Sequence, residues 1–193
     1  MTSRNPENLL AVSHTDQSLA DKARGLAAQL GLSLYNPAEP PPALLLTLTP
    51  NRLELRQTTK GAEGPLFVDF IGGAVNYRRR QTTSRKEAIA RAVGLKGGAR
   101  PIVLDLTAGL GRDSFILASL GCTVRMVERS PVVAALLADA IERAKEEPAL
   151  AEIMARISLM KGDSLEILRT WQGERPEVIC IDPMYPHRSK SAL

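Results

Sequence analysis

Three short constellations in the second half of the chain place acidic side chains beside turn-forming residues. The first is Asp105-Leu-Thr-Ala-Gly109-Leu-Gly111, entered from the apolar run Ile102-Val-Leu and left through Ser114-Phe-Ile-Leu-Ala-Ser-Leu120, which has the character of a helix. Glycines allow a tight turn and a close approach of backbone to ligand, and the N-terminus of the following helix offers free N–H groups with a partial positive charge. The polar end of a cofactor suits such a turn. A dinucleotide fingerprint asks for a third glycine where this chain has Ser114, so a pyrophosphate is an imperfect match. S-adenosylmethionine carries no phosphate, and the shorter Gly109-x-Gly111 turn suffices for its methionine portion. A side chain at Gly111 is expected to fill the cofactor's path.

The second constellation follows in register. Glu128 closes the run Thr-Val-Arg-Met-Val-Glu nineteen residues after Gly109, where an acidic side chain in such folds accepts hydrogen bonds from both ribose hydroxyls. Further on, Asp163 in Lys-Gly-Asp-Ser-Leu has two open readings: a contact to the adenine amino group, or a helix cap together with Ser164. The third constellation is Val178-Ile-Cys-Ile-Asp182 running into Pro183-Met184-Tyr185-Pro186. Methylating an amino group conjugated to a ring requires acceptors for its N–H bonds, so that the nitrogen lone pair turns toward the methyl donor. The Asp182 carboxylate and the Pro183 carbonyl can supply both, and Tyr185 can stack on the base. Asp182, Pro183 and Tyr185 are therefore the candidate catalytic residues.

These motifs need strand ends to hold them. From Ser84 onward apolar-periodic helices (85–94, 112–120, 131–146, 164–171) alternate with short apolar strands (102–106, 123–128, 157–161, 178–182), the pattern of a parallel sheet built from βαβ units. Such α/β sheets bind ligands at the carboxyl ends of their strands. Ahead of them, residues 15–30 have helical apolar spacing with Thr15 or Asp16 as cap and Gly31 as stop. The runs 43–48 and 53–56 predict a β-hairpin, and 66–71 a further strand. The organisation expected is a small N-terminal α+β unit over residues 1–75 and a Rossmann-like cofactor-binding domain over 76–193.

Composition narrows the class. With 193 residues, 44% hydrophobic and 24% charged, the chain reads as a globular protein, neither fibrous nor low-complexity. No membrane partner is expected, since no run approaches the apolar length of a span, and the first residues lack a signal-peptide core, which makes the cytoplasm the expected compartment. Two cysteines, Cys122 and Cys180, without neighbours at metal-ligand spacing, predict neither a disulfide framework nor a bound metal. Residues 1–100 hold 14 Lys and Arg against 8 Asp and Glu, while residues 101–193 hold 11 against 13. The positive front half suits a polyanion. Its densest part, Arg78, Arg79 and Arg80 with Arg85, Lys86 and Arg91, is a candidate phosphate-binding surface together with Arg188 and Lys190.

The segments Asp105-Leu-Thr-Ala-Gly-Leu-Gly-Arg-Asp113, 121–137 and Asp182-Pro-Met-Tyr-Pro-His closely resemble the RsmJ-type methyltransferases, and the resemblance extends to 67–74 and the three arginines 78–80. It covers most of the chain after about residue 43. It implies a class I methyltransferase fold, S-adenosylmethionine as cofactor, and the N2 amino group of a guanine in small-subunit (16S) ribosomal RNA, free or in the subunit, as substrate. It further implies cofactor contacts from Arg112, Asp113, Arg129 and Ser164 beside Asp105, Gly109, Gly111, Glu128, Asp163 and Asp182. Other readings are an amino methyltransferase acting on adenine or on a protein side-chain amide, and a non-catalytic RNA-binding protein of the same fold. A nicotinamide-dependent dehydrogenase is disfavoured by Ser114. Because relatives of this family are longer and methyltransferase sheets usually continue past the strand bearing the catalytic turn, C-terminal strands are expected to be missing here. An unpaired edge, a poorly ordered catalytic loop and weak or absent activity are expected to follow.

Overall fold

The computed structural model describes residues 9–72, 88–96 and 98–182. Its N-terminal part opens on strand β1 (Leu10–His14), passes through a 3₁₀ turn into helix α1 (Ala20–Leu30), and returns as β2 (Leu44–Leu48) and β3 (Leu53–Gln57). Asp16 starts the helical segment by accepting a hydrogen bond from the Ser18 amide, and Gly31, at φ +65°, ends it in the left-handed conformation. β1 pairs parallel with β2, and β2 antiparallel with β3. The hairpin and the helix match the sequence reading. β1 was not anticipated, because five residues from Leu10 to His14 are too few to show a period.

The expected strand over 66–71 does not form. Only Leu66 bridges to Leu55, and the chain then turns because the Asp69 carboxylate accepts the Ile71 and Gly72 amides at 3.0 and 3.2 Å. A side chain that captures the following amides competes with a strand ladder for the same donors.

The second part has helix α2 (Ala88–Ala92), then β4 (Ile102–Asp105), α3 (Arg112–Ser119), β5 (Thr123–Glu128), α4 (Pro131–Lys145), a short α5 (Ala151–Met154), β6 (Ile157–Lys161), α6 (Ser164–Arg169) and β7 (Val178–Cys180). The four strands are all parallel, in the spatial order β6-β5-β4-β7. The chain therefore winds outward from β4 in one direction to β6 and then crosses to β7 on the other side. This reversal is the topological switch point of a doubly wound sheet, where the loops leaving adjacent strands part and open a crevice. Among the described residues β7 pairs only with β4, and Ile179 and Ile181 remain 49% and 63% exposed.

One apolar cluster joins the two sheets. It runs from Val12, Leu46 and Leu53 through Val68 and Phe70 to Phe115, Met126, Leu136 and Leu137. Phe70 and Phe115, both fully buried, stack with centroids 4.8 Å apart and planes within 7°. Arg143 of α4 fastens the same seam, donating to the Val68 carbonyl at 2.6 Å and to Asp139 at 2.9 Å, with Asp69 at 3.9 Å. Truncating a fully buried phenylalanine in a close-packed core costs about 3–5 kcal/mol. Phe70→Ala is therefore expected to lower the unfolding free energy by about that amount and to weaken both sheets together in one transition, measured by urea denaturation followed by far-UV circular dichroism. Two separate transitions, with the second at the wild-type midpoint, would show instead that the sheets fold independently.

Candidate functional site

The crevice between β4 and β7 is a cavity of about 410 Å³ lined by Ile89, Asp105, Thr107, Ala108, Gly109, Leu110, Arg112, Asp113, Leu117, Cys180 and Asp182. That volume lies in the range of small-molecule sites. Its walls come from the end of β4, the Gly109 turn, the first turn and one later residue of α3, the end of β7, and α2.

Asp105 is the last residue of β4 and only 8% exposed. Its two oxygens are satisfied: one accepts the Ser114 hydroxyl at 2.6 Å, the other the Thr107 amide at 3.1 Å. Burial pushes its carboxyl above the ordinary aspartate value, opposed by these two hydrogen bonds and assisted by the negative charges of Asp113 and Asp182. Ser114, noted in the sequence as a missing glycine, thus supplies the hydroxyl that makes a buried carboxylate tolerable. The signal was a polar residue in an otherwise apolar helix face.

The turn after β4 is held from the neighbouring strand. The Ala108 amide donates to the Val127 carbonyl at 3.1 Å, and the Gly109 amide to Glu128 Oε2 at 3.0 Å. Glu128 Oε1 accepts the Ser130 amide at 2.7 Å. One carboxylate at the end of β5 therefore ties the glycine turn to the start of α4, and each oxygen retains a lone pair for a hydroxyl. Gly109 has φ +54° and only a backbone oxygen at 3.9 Å near its missing Cβ, so the turn stays open toward the cavity.

Gly111 has a different reason to be glycine. At φ +70° its Cβ would stand 2.8 Å from Leu137 Cδ2, 3.2 Å from Phe70 Cζ and 3.3 Å from Met126 Sδ. A side chain there would strike the shared core, not the cofactor's path as the sequence suggested, because the residue caps α3 on the side facing α4 and Phe70.

The remaining candidates divide. Arg112 and Asp113, at the start of α3, line the cavity, as does Asp182 just past β7. Arg129 is exposed, and neither it, Glu128, Asp163 nor Ser164 lines the cavity. Asp163 Oδ1 accepts the Leu165 and Glu166 amides at 2.9 and 3.4 Å, which is the geometry of a helix cap on α6. Pro183, Tyr185, Arg78, Arg79, Arg80, Arg188 and Lys190 lie outside the described residues. Sequence reasoning did not single out Ile89, Thr107, Ala108, Leu110, Leu117 and Cys180 as lining residues; Thr107, Ala108 and Leu110 are the unassigned positions of the Asp105–Gly111 motif, and Ile89 and Leu117 are apolar helix residues outside any motif.

The lining suits S-adenosylmethionine. Three carboxylates, Asp105, Asp113 and Asp182, against the single guanidinium of Arg112 give the cavity an acidic balance that complements a sulfonium and an ammonium group, while Ile89, Leu110 and Leu117 add apolar wall. Among the described residues no cluster of His, Cys, Asp and Glu could hold a metal ion, and no helix is long and apolar enough to cross a membrane.

A four-stranded parallel sheet with an acidic cavity at its switch point, a glycine turn after the first strand and an acidic residue closing the second define a Rossmann-like methyltransferase. A family model described as SAM-dependent methyltransferase matches residues 26–193, and the chain belongs to that family. The ribosomal RNA small subunit methyltransferase J of Nitrosococcus oceani is 51% identical over 174 residues, covering 89% of this chain and 68% of that protein. The protein of the same name in Thioalkalivibrio sulfidiphilus is 46% identical over 185 residues, covering 95% and 72%. The crystal structure of a SAM-dependent methyltransferase from Neisseria gonorrhoeae matches with a TM-score of 0.73 at 36% identity, covering 91% of this chain and 70% of that one.

Two outcomes test the site. Glu128→Ala removes the acceptor proposed for the ribose hydroxyls and the tie on the Gly109 amide, and should weaken cofactor binding by about 1.5–3 kcal/mol, roughly ten- to hundredfold; calorimetric titration measures it, and unchanged affinity would refute the assignment. The Cys180 thiol is pushed up to about 11, first by burial and then by the negative charges of Asp105 and Asp113. It should therefore react slowly with iodoacetamide at pH 8, and the rate should keep rising with pH well beyond the ordinary thiol range. A rate that levels off near pH 9 would contradict this.

Proposed function

We propose that this methyltransferase modifies small-subunit (16S) ribosomal RNA, at the N2 amino group of a guanine, and works in the cytoplasm where that RNA is assembled. The observation that carries the reading is Asp182, an exposed carboxylate that lines the cavity two residues beyond β7 at the switch point. The names of the relatives support the RNA class, and the Asp182-Pro183-Met184-Tyr185 sequence supports an amino group as acceptor.

S-adenosylmethionine supplies an electrophilic methyl group on a positively charged sulfur. The chain's own residues do the rest. Glu128 accepts ribose hydroxyl bonds while its backbone ties keep the Gly109 turn in place. Asp105, Asp113 and Asp182 balance the cofactor's positive charge. On the acceptor side, the Asp182 carboxylate and the Pro183 carbonyl take the two N–H bonds of the amino group, which orients the nitrogen lone pair toward the methyl group. As nitrogen acquires positive charge, the bond to Asp182 strengthens, so this contact favours the transition state over the bound substrate. Tyr185 stacks on the base, and Arg78, Arg79, Arg80, Arg188 and Lys190 hold the RNA phosphates.

The deciding experiment maps methylated nucleosides by mass spectrometry in ribosomal RNA from cells with and without the protein. Loss of one N2-methylguanosine from the small-subunit RNA is expected; loss of a methyladenosine, or an unchanged RNA with an undermethylated protein, would favour the other amino acceptors. With the RNA substrate in hand, Asp182→Ala should lower turnover on the order of 10²-fold or more, a larger factor than the accompanying loss of cofactor affinity. Wild-type turnover in that variant would refute the role of Asp182.

A further inference from the structure

The β4–β7 ladder ends early on the β7 side. Its last bond runs from the Leu106 amide to the Cys180 carbonyl at 3.0 Å, two residues short of Asp182. Asp182 is nevertheless anchored: its amide donates to the Thr107 hydroxyl at 2.7 Å, across 75 residues of sequence. Thr107 in turn donates its own amide to Asp105, whose second oxygen accepts the Ser114 hydroxyl. A continuous chain of hydrogen bonds thus connects the first turn of α3, the buried carboxylate of β4 and the backbone of Asp182. Thr107, Asp105 and Asp182 all line the same cavity.

We propose that Thr107 is a positioning residue for methyl transfer: its hydroxyl replaces the missing ladder bond and fixes the backbone of Asp182 against the cofactor turn. The inference rests on the reading of Asp182 as the acceptor of the substrate amino group. The argument is one of reach and stiffness. A threonine has a restricted χ1, so a single hydrogen bond to its hydroxyl sets both distance and direction. Donor methyl and acceptor nitrogen must meet in a narrow geometry, and a misplacement of about 1 Å can cost on the order of 10²-fold in rate. Among the described residues the Asp182 backbone, exposed and beyond the end of its strand, makes no hydrogen bond besides this one.

Thr107→Val keeps the shape and removes the hydroxyl; Thr107→Ser keeps the hydroxyl. With the intact protein, methyl transfer to small ribosomal subunits from cells lacking the enzyme gives kcat, calorimetry gives cofactor Kd, and hydrogen exchange reports on the Asp182 amide. The valine variant should lose about 10- to 100-fold in kcat with cofactor Kd changed by less than about threefold, and its Asp182 amide should exchange faster, while the serine variant recovers most of the rate and the protection. Thr107→Ala carries the same comparison if the valine variant does not fold. Wild-type kcat without the hydroxyl, a serine variant as slow as valine, or a loss of cofactor affinity that matches the loss of rate would each overturn the proposal. Asp182→Ala run alongside separates the two readings: if that variant is slow and Thr107→Val is not, positioning alone fails; if Asp182→Ala turns over normally, the acceptor role fails and the positioning role with it.

Discussion

Where a parallel strand ends, its neighbours stop supplying partners for the backbone amides that follow, and an amide left unpaired away from water is costly. The whole site is organised by that constraint. At the end of β4 the Thr107 amide goes to Asp105; at the end of β5 Glu128 collects the Gly109 and Ser130 amides; past β6 Asp163 collects those of Leu165 and Glu166; past β7 the Asp182 amide goes to Thr107. Three of the acidic side chains that look in the sequence like a cofactor's contacts, Asp105, Glu128 and Asp163, are first of all acceptors for the amides of the chain's own turns. A group that holds its loop through one lone pair and keeps another available is rigid before any ligand arrives, which lowers the cost of ordering on binding.

The cavity depends on a seam some distance away. Gly111 caps α3 where Phe70 of the N-terminal part, Met126 of β5 and Leu137 of α4 converge, so the helix that borders the cofactor turn is seated on a core contributed by both sheets. The Phe70–Phe115 stack holds the same helix, and Arg143 of α4 ties the segment that carries Phe70 through Val68 and Asp69. The N-terminal part thereby supports, through packing, the helix that borders the site, without itself lining the cavity among the described residues.

Electrostatically the cavity is acidic yet sheltered. Burial raises the Asp105 carboxyl and the Cys180 thiol, both in the direction that favours their neutral forms, and the negative charges of Asp113 and, for Asp105, of Asp182 push the same way. A positively charged ligand reverses that balance. Arrival of a sulfonium and an ammonium in such a pocket relieves the mutual repulsion of the carboxylates, so charge complementarity, and not buried area alone, gives the site its preference for a cationic cofactor.

How much of this was legible beforehand follows from range. The strands of the second sheet, α3, α4 and the hairpin could be read because their signals are local: apolar runs with turn residues at their ends, helical spacing, Ser130 ahead of Pro131 as a cap. The Gly109 turn and Glu128 were legible for the same reason, since a βαβ unit fixes the spacing between successive strand ends. What sequence could not decide were contacts set by partners far along the chain. Nothing local shows that Leu10–His14 finds a parallel partner in β2. The turn at Asp69 has a local cause, but in the sequence the apolar run around it outweighs that signal, and of the two readings left open for Asp163 the structure shows the helix cap. The role of Gly111 was misread because the atoms its Cβ would meet come from residues 70, 126 and 137. Thr107 sits inside the Asp105–Gly111 motif, but the motif assigns it no role; its hydroxyl matters because the sheet order places β7 beside β4 and brings the Asp182 amide within 2.7 Å. Residue types and periods determined the elements and the chemistry they could bear; the order of the strands, which is a property of the folded chain, decided which of those residues meet.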